Sequence, residues 1–374
     1  MRFPLTRPMR RSLFAALFAL VSLTSLAACG SASGKVGSKQ AQGCGTTTNA
    51  ATSNGFASAS SGAYTTDALT LPATRASPRK LTLGLTYIPN IQFAPFYVAQ
   101  SLGYYAQAGL DVTLRHHGFS EGEFDALVAG HEDAIFASGD ETLQARSKGI
   151  PVTYVAQVFT RYPVALIVPS SSTIQSVKDL RGHTVGVPGY YGATYIGLLA
   201  LLQCAGLSKS DVTIQAIGYT QVSALLGHKV DAVMGYSNNE VLQFQKANFA
   251  VRTMPVQQPF ISNGLAALDS ELSANPGEIR ALVAATLKGV QYTIANPQEA
   301  VNLSKSFVPG LNDPQKAADA LAVLQATIPL MQGSARAGYN DPANWTLMDN
   351  FLQAQGQLSK PVAASQAYSN DYLP

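Results

Sequence analysis

The chain has 374 residues, of which 47% are hydrophobic and 13% charged, enough apolar side chains for two or three domains with sizeable cores. Its net charge of +3 comes from the first 28 residues, which hold four arginines and no acid and leave 21 Lys and Arg against 22 Asp and Glu. This balance gives no basis for nucleic-acid binding. No apolar run after residue 28 reaches the roughly 20 residues that span a bilayer.

The first 28 residues have the pattern of an export signal. Arginines at positions 2, 7, 10 and 11 precede the apolar run 13–26. The sequence LAAC at 26–29 is similar to a bacterial lipobox, in which Cys29 is lipidated and becomes the new N-terminus. The alternative is an ordinary signal peptide with a cysteine at this position. We expect a protein exported and lipid-anchored to the outer face of the cell membrane, or a periplasmic one.

Residues 29–78 are rich in Gly, Ser, Thr, Ala and Gln and show no sustained periodicity. Such a composition does not bury enough apolar surface to offset chain entropy, so we expect a flexible tether. Two readings remain open for the other cysteines. Cys44 and Cys204 can pair in an exported protein, or Cys204 is a small buried core residue and Cys44 is free.

The folded part opens with a strand, a polar loop and a helix. Leucines alternate with Thr and Gly over 81–85, Pro89 breaks the strand, and apolar residues recur at helical spacing over 93–102. A second strand is predicted at 110–114. In open α/β sheets ligands bind at the carboxyl ends of strands. That edge is where the pattern places Tyr87, Asn90, Gln92 and Phe93.

The next predicted elements are a helix at 121–130, a buried strand at 133–137 and a helix at 142–148. Ser138, Gly139 and Asp140 form the turn between the last two. A carboxylate in this position either caps the exposed N–H groups of the helix or faces a ligand at the strand end. Both interpretations of Asp140 stay open.

Two β-rich runs, 152–159 and 164–168, are separated by a turn that contains Tyr162, and the second run is predicted to enter another domain. A strand at 184–187 then leads through a Gly-rich turn, 188–194, into a helix at 195–204. A turn of this kind suits an anion, but it lacks the lysine of a phosphate loop. Aromatic residues beside glycines suit stacking on a flat ring, with core packing as the alternative. The candidates here are Tyr190, Tyr191 and Gly192.

Further strands are predicted at 212–217, 230–234, 249–254 and 264–268, with a helix at 221–227. The strand 230–234 is followed by a polar turn. Tyr236 can stack, and Asn238 and Asn239 each offer a donor and an acceptor. Glu240 either binds a polar ring edge or caps the next helix. Asn263 lies at the second crossover between domains.

From residue 276 the chain is predicted to be helical, over 276–295, 297–307, 314–328 and 342–355. Each begins at a proline, which the first helical position favours. Trp345, the sole tryptophan, has apolar neighbours at helical spacing and is predicted to pack in the core. The tail, 359–374, is expected to be poorly ordered.

Strands that alternate with helices predict an α/β fold with parallel sheets. Two crossings predict a discontinuous lobe 1, 79–164 with 262–358, and an inserted lobe 2, 165–261. Ligand would bind between the lobes, and the lobes would close by a hinge motion about the crossovers.

Two segments carry a resemblance to a known family. The sequence YIPNIQFAPFYVAQSLGYYAQAGLDV at 87–112 and GYSNNE at 235–240 are similar to the NMT1/THI5-like proteins of the SsuA/THI5 superfamily, over about residues 80–358. The resemblance implies a type II, two-lobed periplasmic-binding-protein fold with the ligand cleft between lobes. It also implies a monomeric receptor whose partners are the permease and ATPase subunits of an ABC importer. Known ligands of the family include thiamine pyrimidine precursors and riboflavin. The two segments are most similar to the sequences of the flavin-importer branch.

We therefore expect a receptor for a small heteroaromatic vitamin or precursor. Riboflavin is the first hypothesis, an aminopyrimidine precursor of thiamine the second, and an aliphatic sulfonate the third. A sulfonate needs arginines at the cleft, and only Arg161 is placed for that. The candidate contacts are aromatic and amide-rich, a combination that stacks on flat rings and reads their N–H and C=O edges.

An enzyme is the alternative of another class, because some THI5-like proteins make a thiamine pyrimidine from their own histidine and a bound cofactor. The five histidines lie at 116, 117, 131, 183 and 228, outside the predicted cleft loops. His116 and His117 lack convincing metal partners, and a strand-end surface position is favoured for them. GxSxG, HExxH and Cys–His patterns are absent. We expect no catalysis, no cofactor and no metal.

Overall fold

The computed structural model describes residues 77–118, 121–333 and 336–374, together with the backbone of residues 48–49. The export leader, Cys29 and most of the predicted tether lie outside these residues. Among the described residues, no helix combines the length and apolar character needed to cross a bilayer.

The described strands form two sheets, one of five strands in the order β3-β2-β4-β11-β5 and one of six in the order β1-β10-β6-β9-β7-β8. The strands are β1 (Thr48–Asn49), β2 (Arg79–Leu85), β3 (Leu110–His116), β4 (Ala134–Ser138), β5 (Val152–Gln157), β6 (Val164–Pro169), β7 (Thr184–Val187), β8 (Thr213–Ala216), β9 (Ala232–Tyr236), β10 (Val251–Pro255) and β11 (Asn263–Leu268).

The helices cover the faces of these sheets and, after β11, form a C-terminal group. They are α1 (Ala94–Ser101), α2 (Tyr104–Gln107), α3 (Asp125–Val128), α4 (Gly139–Ser147), α5 (Gly192–Ala205), α6 (Gln221–Leu226), α7 (Glu240–Lys246), α8 (Asp269–Ala274), α9 (Pro276–Ala295), α10 (Pro297–Leu303), α11 (Pro314–Met331) and α12 (Pro342–Ala354).

Both sheets are mixed, so the prediction of parallel sheets is wrong in part. The pairs β2–β3, β2–β4, β7–β8 and β7–β9 are parallel, whereas β11 runs antiparallel to β4 and β5, and β6 runs antiparallel to β9 and β10. The antiparallel strands are those at which the chain leaves one sheet for the other, between β5 and β6 and between β10 and β11. The architecture is therefore α/β and two-lobed, while the lobe boundaries at 164/165 and 261/262 stay a prediction.

A close approach of two helices fixes the first lobe. A Cβ on Gly289 of α9 would lie 2.2 Å from the carbonyl oxygen of Pro95 in α1, so only glycine lets the two backbones meet. Beneath them, Leu83, Leu85 and Phe96 are fully buried. This packing holds β2 rigidly, and β2 delivers the loop that starts at Thr86.

Several helix predictions are wrong in their extent: α4 begins at Gly139 rather than at 142, and α10 ends at Leu303 rather than at 307. The helix predicted at 121–130 is reduced to one turn, α3, and the helix predicted at 195–204 begins three residues earlier, at Gly192. Gly192 has φ +69°, a conformation that glycine adopts without strain. The early start turns the Gly-rich loop into the first turn of α5 and brings its N-terminus toward the other lobe.

The cysteine at 204 is not a core residue. Cys204 is disulfide-bonded and lies on the exposed side of α5, so the prediction of a small buried thiol is wrong. The other cysteines, Cys29 and Cys44, are outside the described residues. Thr48 and Asn49, within the predicted tether, pair with β10 at the edge of the second sheet. The sequence pattern gave no sign of this strand.

The C-terminal tail packs against the first lobe, and the prediction of a poorly ordered tail is wrong. The backbone N–H of Tyr154 donates to the carbonyl oxygen of Ala367, and that of Ser369 donates to Tyr154, each at 2.9 Å. Tyr368 stacks on Trp345 with ring centroids 5.2 Å apart and planes at 14°. Trp345 is fully buried, which confirms its predicted core position. The tail is ordered because Tyr368 covers the large apolar indole of Trp345 and so keeps it from water.

This packing predicts that Tyr368→Ala lowers the free energy of unfolding by about 2 kcal/mol, through loss of the stacked ring and of its buried area. Urea denaturation followed by tryptophan fluorescence measures the effect. Tyr190→Ala is the matched control, because Tyr190 is 58% exposed. An unchanged midpoint for Tyr368→Ala would show that the tail does not stabilise the lobe.

Candidate functional site

A cavity of about 120 Å³ lies between residues of the first sheet and residues of the second. It collects the carboxyl ends of β2, β4, β7 and β9, as expected for ligand sites in open α/β folds. The first sheet and its loops supply Thr86, Tyr87, Gln92, Phe93, Glu123, Phe136, Glu141, Phe159 and Asn263; the second supplies Pro188, Tyr191, Gly192, Ala193, Thr194, Tyr219, Gln221, Tyr236, Asn239 and Glu240.

Aromatic rings form much of the wall. Phe136 packs edge-on against Phe93 at 5.7 Å and against Phe159 at 5.8 Å between ring centroids. Tyr87 and Tyr219 meet from opposite lobes at 5.2 Å and 77°, an edge-to-face pair. The phenylalanines therefore give the cavity a fixed apolar floor, and the tyrosine pair connects the lobes at its side.

His116 positions the loop that carries Tyr87. Its Nδ1 lies 2.8 Å from the carbonyl oxygen of Tyr87, and its Nε2 lies 2.9 Å from the hydroxyl of Tyr97. Burial lowers the pKa of His116, so the ring is neutral at pH 7 and bridges the two groups as one donor and one acceptor. His117 is only 5% exposed and contacts Glu132 at 2.8 Å. The predicted surface position of this histidine pair is wrong.

The carboxylate of Glu141 lies between two helix N-termini. Its Oε2 accepts the backbone N–H of Ser138 at 2.8 Å and so caps α4. Its Oε1 faces the start of α5, where a Cβ on Gly192 would lie 3.1 Å away. Free N–H groups and the helix dipole at such a position favour an anion. The chain's own carboxylate takes the place that an anionic ligand would need.

Two further carboxyls lie beside Glu141. Burial raises the pKa of Glu123 well above its ordinary value, and the charge of Glu141 and a hydrogen bond to it raise this pKa further. Asp140 is fully buried, and burial, followed by the charge of Glu141, raises its pKa to about 8 against the opposing effect of hydrogen bonds to Ser138 and to the backbone. No lysine or arginine among the described residues lines the cavity. The site is therefore suited to hydrogen-bond donors and unsuited to anions.

Glu240 both lines the cavity and organises the start of α7. Its Oε2 accepts the backbone N–H of Tyr236 at 2.6 Å, and its Oε1 accepts the side-chain amide of Asn239 at 3.0 Å. Burial raises the pKa of Glu240 to about 7. The two interpretations left open by the sequence are compatible in this geometry, because the residue that orders the turn also faces the cavity.

The structure brings nine of the predicted contacts into the cavity lining: Tyr87, Gln92, Phe93, Tyr191, Gly192, Tyr236, Asn239, Glu240 and Asn263. The others lie elsewhere and have structural partners. Asn90 caps the turn before α1 by accepting the N–H of Gln92 at 3.1 Å, and Ser138 and Asp140 are buried in the first turn of α4. The Tyr162 hydroxyl donates to Ala193 at 2.9 Å.

Asn238 and Tyr190 are also outside the lining. The amide of Asn238 donates to the hydroxyl of Thr327 at 2.9 Å and ties the loop after β9 to α11. Tyr190 points away from the cavity, donates to the carbonyl oxygen of Ile214 at 3.2 Å and packs against Tyr195. Because successive residues of an extended segment point to opposite sides, one tyrosine of the pair reaches the cavity and its neighbour does not.

Sequence reasoning missed several lining residues. Glu123 was assigned to a helix that does not form, and Tyr219 stands after a strand end that carried no polar turn signature. For Phe136 and Phe159 the sequence pattern indicated only ordinary strand positions. The remaining omissions are Thr86, Glu141, Pro188, Ala193, Thr194 and Gln221. A stricter use of the strand-end rule would have found Thr86 and Tyr219.

The fold and the cleft define a protein of the two-lobed periplasmic-binding-protein class. The crystal structure of the periplasmic aliphatic sulphonate binding protein SsuA from Escherichia coli matches with a TM-score of 0.63 at 16% identity, covering 78% of this chain and 92% of that one. At this identity the likeness concerns the fold alone.

The family model described as NMT1/THI5 like matches residues 90–300. The chain is 38% identical to the riboflavin-binding protein RibY of Chloroflexus aurantiacus over 81% of this chain and 89% of that protein. A 4-amino-5-hydroxymethyl-2-methylpyrimidine phosphate synthase of Legionella pneumophila is 25% identical (79% and 92% covered), and the formylaminopyrimidine-binding protein of Halalkalibacterium halodurans is 26% identical (76% and 88% covered). The chain belongs to the NMT1/THI5-like family.

The buried acid Asp140 gives a pH-dependent prediction. Its pKa is raised from 3.8 to about 8 in the folded state, so between these pH values the folded chain binds more protons than the unfolded chain and loses stability as the pH rises. Asp140→Asn cannot ionise. We expect the variant's stability relative to the unaltered protein to increase from about pH 4 to about pH 8.

Urea midpoints at pH 5, 7 and 9 measure this difference. Asp371→Asn, at an exposed position, is the matched control and should give the same difference at each pH. A difference for Asp140→Asn that does not change with pH would contradict the assignment of a buried, protonated acid.

Proposed function

We propose that this protein is an extracytoplasmic solute-binding lipoprotein of an ABC importer and that its ligand is riboflavin. The observation that carries the proposal is an interlobe cavity with aromatic walls, amide groups and carboxyls, in which no described lysine or arginine participates. The 38% identity to a riboflavin-binding protein supports the choice of ligand.

The shape and polarity of the wall suit a flat heteroaromatic ring. Tyr191 is 55% exposed, which leaves its ring face open to stack on a ligand. Stacking of a ring on an aromatic side chain contributes about 1–3 kcal/mol per ring in comparable contacts. The amides of Gln92, Gln221 and Asn263 each offer a donor and an acceptor for the N–H and C=O edges of an isoalloxazine.

The charge of the cavity argues against a sulfonate. A sulfonate is a permanent anion and needs cationic or N–H partners. Arg161, the arginine that the sequence offered for this role, does not line the cavity, and Glu141 already faces the start of α5. An uncharged ligand avoids the repulsion that an anion would meet from the carboxylates.

An aminopyrimidine precursor of thiamine is the second candidate. The carboxyl of Glu240 can accept the exocyclic N–H and pair with the adjacent ring nitrogen, and its pKa of about 7 lets it hold the proton that this nitrogen needs. The 26% identity to a formylaminopyrimidine-binding protein supports this alternative.

Binding is favoured over pyrimidine synthesis, although several relatives are named as synthases. Synthesis of the kind implied by the family resemblance consumes a histidine of the protein itself. The described lining of the cavity includes no histidine, and His116 is engaged by Tyr87 and Tyr97. His117 lines the space beside the cavity and is held by Glu132 at 2.8 Å. These contacts support a receptor that releases its ligand unchanged.

Export and anchoring rest on the sequence. The leader 1–28 and the lipidation site Cys29 lie outside the described residues, so they enter the proposal from their pattern alone. A receptor held at the membrane would deliver its ligand to a permease and its ATPase subunits by opening about the two crossovers, which we propose as lobe boundaries.

The neighbouring tyrosines provide the test of the ligand. We expect riboflavin to bind the purified full-length protein with quenching of flavin fluorescence, because Tyr191 stacks on its ring. Tyr191→Ala should weaken binding about 5- to 150-fold, the equivalent of about 1–3 kcal/mol of stacking. Titration of riboflavin fluorescence gives the dissociation constants.

Tyr190→Ala is the matched control, since this ring is equally exposed but lies outside the cavity, and it should change the affinity less than twofold. Calorimetry with a formylated aminopyrimidine runs in parallel. If calorimetry detects binding of the pyrimidine and flavin fluorescence is not quenched, the ligand is the second candidate, the aminopyrimidine. Equal effects of the two substitutions would disprove the stacking geometry.

A further inference from the structure

A second compartment adjoins the cavity beside α3 and α4 of the first lobe, and residues of the second lobe also line it. It measures about 480 Å³ and shares with the cavity the lining residues Thr86, Glu123, Glu141, Tyr191 and Tyr219. Its lining is mixed: Phe124, Ala145 and Ile150 are apolar, whereas Asp125, Gln144 and Lys148 carry polar or charged groups. A ring held in the cavity would project a substituent into this space.

One face of α4 supplies alternating acceptors and donors to the compartment. Glu141, Gln144 and Lys148 recur at the three- and four-residue spacing that places side chains on one side of a helix. Glu123 faces them from the loop before α3 and shares a hydrogen bond with Glu141. Carboxylate, amide, amine and a proton-retaining carboxyl together match a chain of hydroxyl groups, each of which donates once and accepts twice.

The same lining disfavours a phosphate. Asp125 and Glu141 line the compartment together with one amine, Lys148, while Glu121 is occupied by an ion pair with Arg115 at 2.6 Å. A phosphate monoester carries about −1.5 to −2 charges at pH 7. At a few ångströms from carboxylates in a partly buried space this charge is repelled.

We propose that this compartment is a polyol subsite, which binds the hydroxylated side chain of the ligand and excludes its phosphorylated form. The inference rests on the proposed flavin-binding function and deepens it. It assigns Gln144 to recognition of the ribityl hydroxyls and Asp125 to discrimination against a terminal phosphate. Selection by repulsion in this way needs no additional contact to the preferred ligand.

Three flavins separate the contributions. Riboflavin carries the ribityl chain, lumiflavin has a methyl group in its place, and flavin mononucleotide adds a terminal phosphate. We expect lumiflavin and flavin mononucleotide each to bind the full-length protein at least tenfold more weakly than riboflavin. Fluorescence titration gives the three dissociation constants in one buffer at fixed salt, since the phosphate effect is screened by ions.

Two variants locate the effect within the compartment. Gln144→Leu should weaken the binding of riboflavin at least fivefold and leave the affinity for lumiflavin within twofold. An unchanged affinity for lumiflavin also shows that the ring site is intact. Asp125→Lys, at an exposed residue that lines the compartment and not the cavity, should strengthen the binding of flavin mononucleotide at least tenfold and leave the affinity for lumiflavin within twofold. Gln298→Leu and Glu299→Lys, on the exposed side of α10, are the matched controls and should change none of the constants beyond twofold.

The outcomes distinguish the two levels of the proposal. Absence of binding by all three flavins overturns the flavin receptor and the subsite together. If riboflavin binds but lumiflavin binds with equal affinity, the proposal of a flavin receptor is kept and the polyol subsite is overturned. Equal affinity for riboflavin and flavin mononucleotide, or an Asp125→Lys variant with unchanged discrimination, removes the assigned role of Asp125.

Discussion

One carboxylate determines the chemistry of the cavity. Glu141 caps α4 with one oxygen and faces the first residue of α5 with the other, so it lies where two helix N-termini attract negative charge. Its presence raises the pKa of Glu123 and of Asp140 after burial has already done so. Acids that retain their protons consequently lie beside Glu141, and this group of carboxyls favours a ligand that supplies hydrogen-bond donors.

The sequence predicted the frame of the fold well because its signals are local. The start of α9 at Pro276 and its end at Ala295 were both predicted, and the strand-end rule found the loops that carry Tyr87, Tyr191 and Tyr236. The direction in which a side chain of such a loop points is not determined by the local sequence pattern. Tyr190 and Tyr191 have the same chemistry and adjacent positions, and only the extended backbone before α5 decides which one enters the cavity.

Other errors have the same origin in long-range contacts. The residues of the tail have a weak pattern of their own, yet the uncovered face of Trp345 and the free edge of β5 order them. Glu123 belongs to the site because the predicted helix at 121–130 shortens and leaves its first residues as a loop beside α4. Neither effect could be inferred from periodicity, since each depends on a surface supplied by a distant part of the chain.

The two-lobed fold alone does not select a ligand, because the same architecture serves a sulphonate-binding protein. The selection lies in the charge placed at the start of α5. With Gly192 at that position and no side chain to fill the space, the opposite lobe is free to bring Glu141 against the helix N-terminus. An anionic ligand would have to displace this carboxylate and would then lose the capping of α4 as well. A neutral ring with N–H donors meets neither cost, so in the receptor that we propose the fold's own anion site is the element that favours an uncharged ligand.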